Sequence, residues 1–383
     1  MDLTPYKECP AHKQWIFIAN ESQTDEFYRP CCYFKTNISA NTPVEFYDKL
    51  STMDIETNCQ VCIDMEKTSN WSPRILFKNS LHTNKQLVIT ASFDNLCNLK
   101  CITCTPENST QIASEIIKID KNHNIQWFNK LKNQAPGKID FIKQLLSQYE
   151  FDTLRFELLG GEPLINPAVT SFIDWLAEQP YAKNIQLIIT TNGTTKSPNT
   201  PHYIEKFGLL GIQLSVDGVE DTFEYIRSGA DYQVLKDTVD YYYNHYINNR
   251  GNMMMGFNYT LSWMNSLNFA DFIKWLHTDY PELANLHVTK LIGPEHYSID
   301  ILSTQQRLDI YNKVMDIINQ LNVTNQNILN GIDIYKEHMN ATDKTNFDVQ
   351  KFNSAIHTLN TLDGIRDTAY SKAFNQIINY ITE

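Results

Sequence analysis

Cys97, Cys101 and Cys104 stand close together in the spacing C-x3-C-x2-C. Three thiolates on one tight loop can converge on three corners of a cubane iron–sulfur cluster. One iron is then left without a protein ligand. An open coordination position is what metal catalysis requires, whereas closed sites are structural. Taken alone, the loop also admits a zinc ion completed by a distant His or Cys. Five more cysteines lie upstream: Cys9, Cys31, Cys32, Cys59 and Cys62. None follows Cys104, so all eight fall in the first third of the 383 residues. Disulfide frameworks belong mainly to small secreted domains. The opening MDLTPYKECP carries an acidic residue and no basic stretch leading into apolar residues, which argues against an export signal. Clustered cysteines in a large chain of that kind read as metal ligands, and the expected location is the cytoplasm.

Such loops need elements to position them. QLVITASF (86–93), TLRFELLG (153–160), IQLIITTNG (185–193), LLGIQLSVDG (209–218), MMMGFNYTL (253–261) and LHVTKLI (286–292) read as strands. Helical patterns lie between them, near 109–119, 138–149, 167–178, 201–207, 233–248 and 268–278. Strands alternating with helices predict a parallel sheet with right-handed crossovers. The expected fold class is α/β, a partial (β/α)6 barrel over 83–298. A cysteine-rich segment, 1–82, precedes it, and a helical region, 299–383, follows. There QQRLDIYNKVMDIINQL (305–321) and SKAFNQIINYI (371–381) show helical spacing. The stretch 94–152 is long enough for an extra helix. Residues 1–80 read as irregular, a segment that a metal cluster would staple.

Composition narrows the partners. Net charge is −12, and there is no basic run with which to neutralise a phosphate backbone, which argues against a nucleic-acid partner. No apolar run approaches the ~18 residues of a membrane span. With 42% hydrophobic residues, the chain can bury a large core.

Polar motifs sit at the ends of successive strands, where barrel enzymes place their chemistry. Gly160-Gly161-Glu162-Pro163 follows the second strand, Thr190-Thr191-Asn192-Gly193 ends the third, and Leu214-Ser215-Val216-Asp217-Gly218 ends the fourth. Each alone is also an ordinary turn signal. In this order, behind the three-cysteine loop, they resemble the radical S-adenosylmethionine (SAM) superfamily over roughly residues 86–295. The resemblance implies a 4Fe-4S cluster on Cys97, Cys101 and Cys104, with SAM at the open iron. It also implies that Gly160, Gly161 and Glu162 meet the amino group of SAM, that Asn192 lines the pocket, and that Ser215 and Asp217 bond the ribose hydroxyls. Arg227, in VEDTFEYIRSG, is a partner for the SAM carboxylate or a solvated helix-end residue. Thr103 departs from the family, which usually has an aromatic residue just before the third cysteine.

The upstream cysteines, with Trp15 and Pro30-Cys31-Cys32 before Cys59-x2-Cys62, resemble the auxiliary-cluster modules called SPASM and twitch. That likeness implies a second 4Fe-4S cluster on Cys9, Cys31, Cys59 and Cys62, from two hairpin-like segments. Cys32 is a spare or replaces Cys31. Glu26 stands where those modules often carry Gly, and a structural zinc site with the same ligands remains the alternative.

The family resemblance implies reductive cleavage of SAM to a 5′-deoxyadenosyl radical that abstracts a substrate hydrogen atom. An electron donor such as a flavodoxin or ferredoxin would be the partner. The substrate it points to first is a peptide or protein side chain. A small-molecule dehydrogenase or epimerase acting on a sugar, nucleoside or amino acid is the second reading, and a non-catalytic metal-binding scaffold is the third.

Overall fold

A computed structural model describes residues 9–19, 27–69, 71–80, 85–119, 134–340 and 346–382. Glu26, the residues before Cys9 and the expected 82/83 boundary lie outside them.

Eight strands form one sheet in the order β2-β1-β3-β4-β5-β6-β7-β8. They are β1 (Trp15–Ile18), β2 (Tyr28–Arg29), β3 (Gln86–Ser92), β4 (Thr153–Leu159), β5 (Ile185–Thr191), β6 (Leu209–Ser215), β7 (Met253–Leu261) and β8 (Asn285–Lys290). The last six are the six strands the sequence predicts, each within a few residues of its expected ends. The β1–β3, β3–β4, β4–β5 and β7–β8 ladders are parallel, and β1–β2 is antiparallel. With helices between the strands and a helical C-terminal region, the architecture is α/β, of the kind a partial barrel requires.

Residues 1–80 depart from expectation. Their described part is not irregular. Helices α1 (Ala11–Gln14), α2 (Pro43–Ser51), α3 (Ile55–Asn58), α4 (Gln60–Thr68) and α5 (Pro73–Ser80) accompany β1 and β2. β1 pairs in register with β3, Trp15 opposite Val88 and Ile18 opposite Ala91. The four apolar residues WIFI are too short to show a period, so only the partner strand makes them legible. Cys59 and Cys62 therefore sit on helices, at the α3–α4 junction and in the first turn of α4, and not on a hairpin.

Later helices are α6 (Thr110–Ile119), α7 (Ala135–Gln148), α8 (Pro167–Ala177), α9 (Thr200–Lys206), α10 (Glu220–Ile226), α11 (Tyr232–Asn248) and α12 (Phe269–Asp279). The stretch 94–152 thus holds two described helices. Beyond β8 come α13 (Thr304–Ile318), α14 (Gln326–Asn340), α15 (Val349–Arg366) and α16 (Tyr370–Thr382). Among the described residues no helix is long and apolar enough to cross a membrane.

The chain divides into two compact units. The first is Met1–Asn98, Thr105–Thr190 and Ser197–Gly211; the second is Leu99–Cys104, Thr191–Lys196 and Ile212–Glu383. In the first, β3 is buried along Leu87–Ala91, the continuous apolar run of a strand covered on both faces. Phe156 and Phe172 meet edge to face, and Phe172 stacks on Trp175. In the second, Tyr335 of α14 stacks on Phe269 and its hydroxyl donates to Ser266 O at 3.0 Å. Gly331 lets α14 approach Leu286 of β8 more closely than any side chain would allow.

Candidate metal centres

Cys97 belongs to the first unit, Cys101 and Cys104 to the second. The segment leading into Cys97 is fixed from several sides. Asp94 accepts from Leu96 N at 2.9 Å and from Asn166 Nδ2 at 2.7 Å. Asn166 also caps α8 through Ala168 N, with Pro167 in the first turn. Thr110 Oγ1 donates to Cys97 O at 3.1 Å, and Thr110 N donates to Asn95 O at 2.7 Å. Burial pushes the Asp94 carboxyl above its usual range, against its hydrogen bonds from Leu96 and Asn166.

Gly160 and Gly161 both adopt positive φ, +69° and +56°. A Cβ on Gly161 would stand 2.6 Å from Leu96 O and 3.1 Å from Asp94 O. Leu96 O also accepts from Glu162 N at 2.8 Å. The GGEP turn is therefore docked on the residue preceding Cys97, and glycine is what permits that approach. Glu162 is buried, and its Oε1 accepts from Leu164 N at 3.1 Å.

Lys138 of α7, buried among these segments, donates to Ser92 O at 2.9 Å and Ala19 O at 3.0 Å. Its Nζ lies 4.7 Å from the centre of the Phe27 ring. Burial lowers its pKa to about 7, with Asp94 pulling the other way. A neutral amine still has two N–H groups for those two carbonyls. Neither Lys138 nor Asp94 stood out in the sequence. Asn166-Pro167, separated from GGEP by two residues, was the available signal, a cap whose side chain has a second acceptor to serve.

In the second unit the cysteine loop runs beside the segment carrying Arg227. Lys100 N donates to Ser228 O at 2.8 Å and Ile102 N to Ile226 O at 2.9 Å. Arg227 lies between those two acceptors. Its Nη2 is 2.7 Å from Asp217 Oδ2, both side chains being largely buried. Burial opposes the Arg227 charge, but Asp217, Cys101 and Cys104 outweigh it and hold the guanidinium more firmly charged than usual. Asp217 Oδ1 accepts from Thr260 N at 2.8 Å, so both oxygens of this expected ribose ligand are engaged within the protein. Ser215, the last residue of β6, is half-buried. Asn192 Oδ1 accepts from Thr194 N at 3.0 Å and Thr194 Oγ1 at 2.6 Å, turning the chain at the end of β5.

The second constellation lies within the first unit. Cys9, Cys31, Cys59 and Cys62 line one cavity of about 20 Å³, together with His12 and Arg74. Cys32 is exposed and outside that lining, while Cys31 is buried. Burial raises Cys9 to about 11 and Cys59 to about 12, and Cys31 further still. Arg74, paired with Glu66, works in the opposite direction at Cys9, Cys59 and Cys62. Burial also lowers His12 to about 4, so its ring is neutral, with Nε2 3.7 Å from Cys59 Sγ. Buried thiols of this kind keep their protons at neutral pH until a cation displaces them. Among the described residues, no three His, Cys, Asp or Glu side chains are gathered about a point as a single ion would need.

Residues 92–270 match the family model described as the radical SAM superfamily. The chain is 27% identical over 149 residues to a GTP 3′,8-cyclase of Syntrophomonas wolfei, covering 39% of this chain and 40% of that protein. It is 32% identical over 131 residues to the GTP 3′,8-cyclase of Trichodesmium erythraeum, covering 34% of each. The chain thus spans two fifths or less of the length of these curated relatives. Among solved structures it is similar to anSMEcpe with bound AdoMet, at 15% identity and TM-score 0.42, covering 64% of this chain and 62% of that one. It is also similar to Streptococcus suis SuiB bound to S-adenosylmethionine, at 15% identity and TM-score 0.40, covering 70% and 60%.

Proposed function

We propose, for a chain that carries a radical SAM domain over residues 92–270, that it cleaves SAM reductively and takes a hydrogen atom from its substrate. The reading rests chiefly on the Cys97–Cys104 loop, whose backbone is bonded to the residues on either side of a buried, charged Arg227. The donor set fits an iron–sulfur cluster. Three cysteines supply thiolates, a nearby guanidinium favours their charged form, and no fourth cysteine follows in the sequence. Cys97, Cys101 and Cys104 would hold the 4Fe-4S cluster. With SAM bound at its open iron, one-electron reduction would supply methionine and a 5′-deoxyadenosyl radical that removes hydrogen from an unactivated carbon.

The chain's own share is to bind and orient. Gly160, Gly161 and Glu162 present backbone and a carboxylate to the SAM ammonium group. Arg227 attracts the SAM carboxylate, and Asp217 acts as its positioning partner, while Ser215 and Asn192 line the pocket. Cys9, Cys31, Cys59 and Cys62 would hold a second 4Fe-4S cluster, and Cys32 stands aside. Four cysteine thiols lining one cavity are the donor set that a closed 4Fe-4S cluster takes. Residues 1–82 would then be an auxiliary module, 83–298 the radical SAM barrel and 299–383 a helical extension. A flavodoxin or ferredoxin in the cytoplasm would supply electrons.

A peptide or protein side chain is the proposed substrate, on the likeness of the N-terminal cysteines to auxiliary modules. The curated relatives favour a second reading, a small molecule, since their name describes chemistry on a nucleotide. Anaerobic reconstitution followed by an assay for 5′-deoxyadenosine tests the core reading. The expected product appears in the wild type and vanishes when Cys97, Cys101 and Cys104 are replaced together, with about half the iron retained. No product under a strong reductant, with four irons or fewer per chain, refutes it.

A further inference from the structure

The second unit contains a cation that nothing among the described residues neutralises fully. Arg307, in the first turn of α13, is 1% exposed. Its Nε and Nη2 are buried and have no hydrogen-bond partner among the described residues. Its Nη1 stands 3.9 Å from Asp300 Oδ1, beyond hydrogen-bond range. A buried guanidinium whose donors go unanswered is costly, and charged groups in that position are ordinarily paired. Arg307 forms part of the wall of an open cavity of about 530 Å³, which also includes Lys290, Ser298, Asp300, Glu295 and Lys351. The two carboxylates are already taken: Asp300 holds Lys290 at 2.8 Å and Glu295 holds Lys351 at 2.7 Å. Among the described residues that line the cavity three cations face two anions, and Arg307 is the buried one.

The place also points to a ligand. Lys290 is the last residue of β8, and ligands of α/β sheets gather beyond the carboxyl ends of the strands. Ile292, 84% exposed, stands at the same cavity. It offers an apolar contact for the organic part of a bound molecule.

We propose that this cavity is a binding site for an anionic group, a phosphate or a carboxylate, of a small organic molecule. The anion would be held by the Arg307 fork and flanked by Lys290 and Lys351. A planar guanidinium meets either group with two parallel hydrogen bonds. The site stands independently of the radical chemistry.

Isothermal titration calorimetry of the full chain, without SAM or reductant, tests it. The probes are sodium pyrophosphate, inorganic phosphate and sodium succinate, each against sodium chloride at equal ionic strength. The wild type is expected to bind one equivalent saturably, and Arg307→Gln to bind roughly ten-fold more weakly or worse, as loss of a charged hydrogen bond implies. A preference for the phosphates or for succinate tells which anion the site serves. Should Arg307→Gln fail to fold, Glu295→Gln, on an exposed side chain, frees Lys351 and must tighten binding several-fold. No saturable binding above the chloride control, wild-type affinity in Arg307→Gln, or unchanged affinity in Glu295→Gln overturns the proposal. Because no SAM is turned over, failure here is distinct from failure of the 5′-deoxyadenosine assay.

Discussion

Replacing Gly161 by alanine should separate cluster loading from SAM turnover. At φ +56° an alanine is strained by about 1–2 kcal/mol. Its Cβ would lie 2.6 Å from Leu96 O, where ordinary contact begins at 3.4 Å, so the two chains must part by about 0.8 Å. The 2.8 Å bond from Glu162 N to Leu96 O lies across that gap, and losing it costs about 1 kcal/mol more. The expected destabilisation is therefore about 2–3 kcal/mol. The functional effect is larger, because Leu96 immediately precedes Cys97 and a misplacement of about 1 Å can cost ~10²-fold in rate. Reconstituted Gly161→Ala should keep its iron content, unfold at lower urea concentration, and form 5′-deoxyadenosine about a hundred-fold more slowly. Gly137→Ala is the control. It lies on the exposed face of α7 with nothing within 4 Å of the added Cβ, and should stabilise by about 0.5–1 kcal/mol. Turnover by Gly161→Ala within three-fold of wild type would mean that the GGEP turn does not set the position of the cysteine loop.

Three other substitutions probe separate parts of the structure. Asp217→Asn should keep the bond from Thr260 N but leave Arg227 buried without its counter-charge, destabilising by about 3 kcal/mol in urea denaturation and weakening SAM binding. Wild-type stability would contradict the positioning role. For Lys138, the folded protein releases the proton near pH 7, whereas an unfolded lysine keeps it to about 10.4. Unfolding therefore takes up a proton between those values, and the stability of wild type relative to Lys138→Met should rise across that window by up to about 1.4 kcal/mol per pH unit. It should be flat below pH 7, and a flat difference throughout would refute the buried-amine argument. Cys32→Ser should retain full iron after reconstitution, whereas Cys31→Ser should lose about four irons per chain; the reverse pattern would exchange their roles.

The sheet was legible where side-chain period and length agree. IQLIITTNG and LLGIQLSVDG gave their strands within two or three residues, because an apolar run ending in an Asn-Gly or Asp-Gly turn leaves few alternatives. WIFI carried no such mark, and its identity as a strand exists only opposite Val88–Ala91. The cysteines, GGEP and Arg227 were legible as types. Their mutual arrangement was not, since the pairing of Asp217 with Arg227 depends on how the ends of β6 and α10 meet. Lys138 and Arg307 escaped for a different reason. A lysine or arginine in an amphipathic helix reads as solvated, and only the fold shows these two turned inward.

The parallel pairing of β1 with β3 has a consequence for how the chain is made. β1 ends at Ile18 and β3 at Ser92, so the first strand has only the two residues of β2 beside it until β3 leaves the ribosome. At about 5–20 residues per second, that wait is on the order of 4–15 s. Cys31, Cys59 and Cys62 are synthesised within it, and Cys9 just before it. The nascent thiols thus meet the cell before the sheet edge beside them exists, so metal delivery or protection of these cysteines has a window that opens during translation and narrows once β3 is in place.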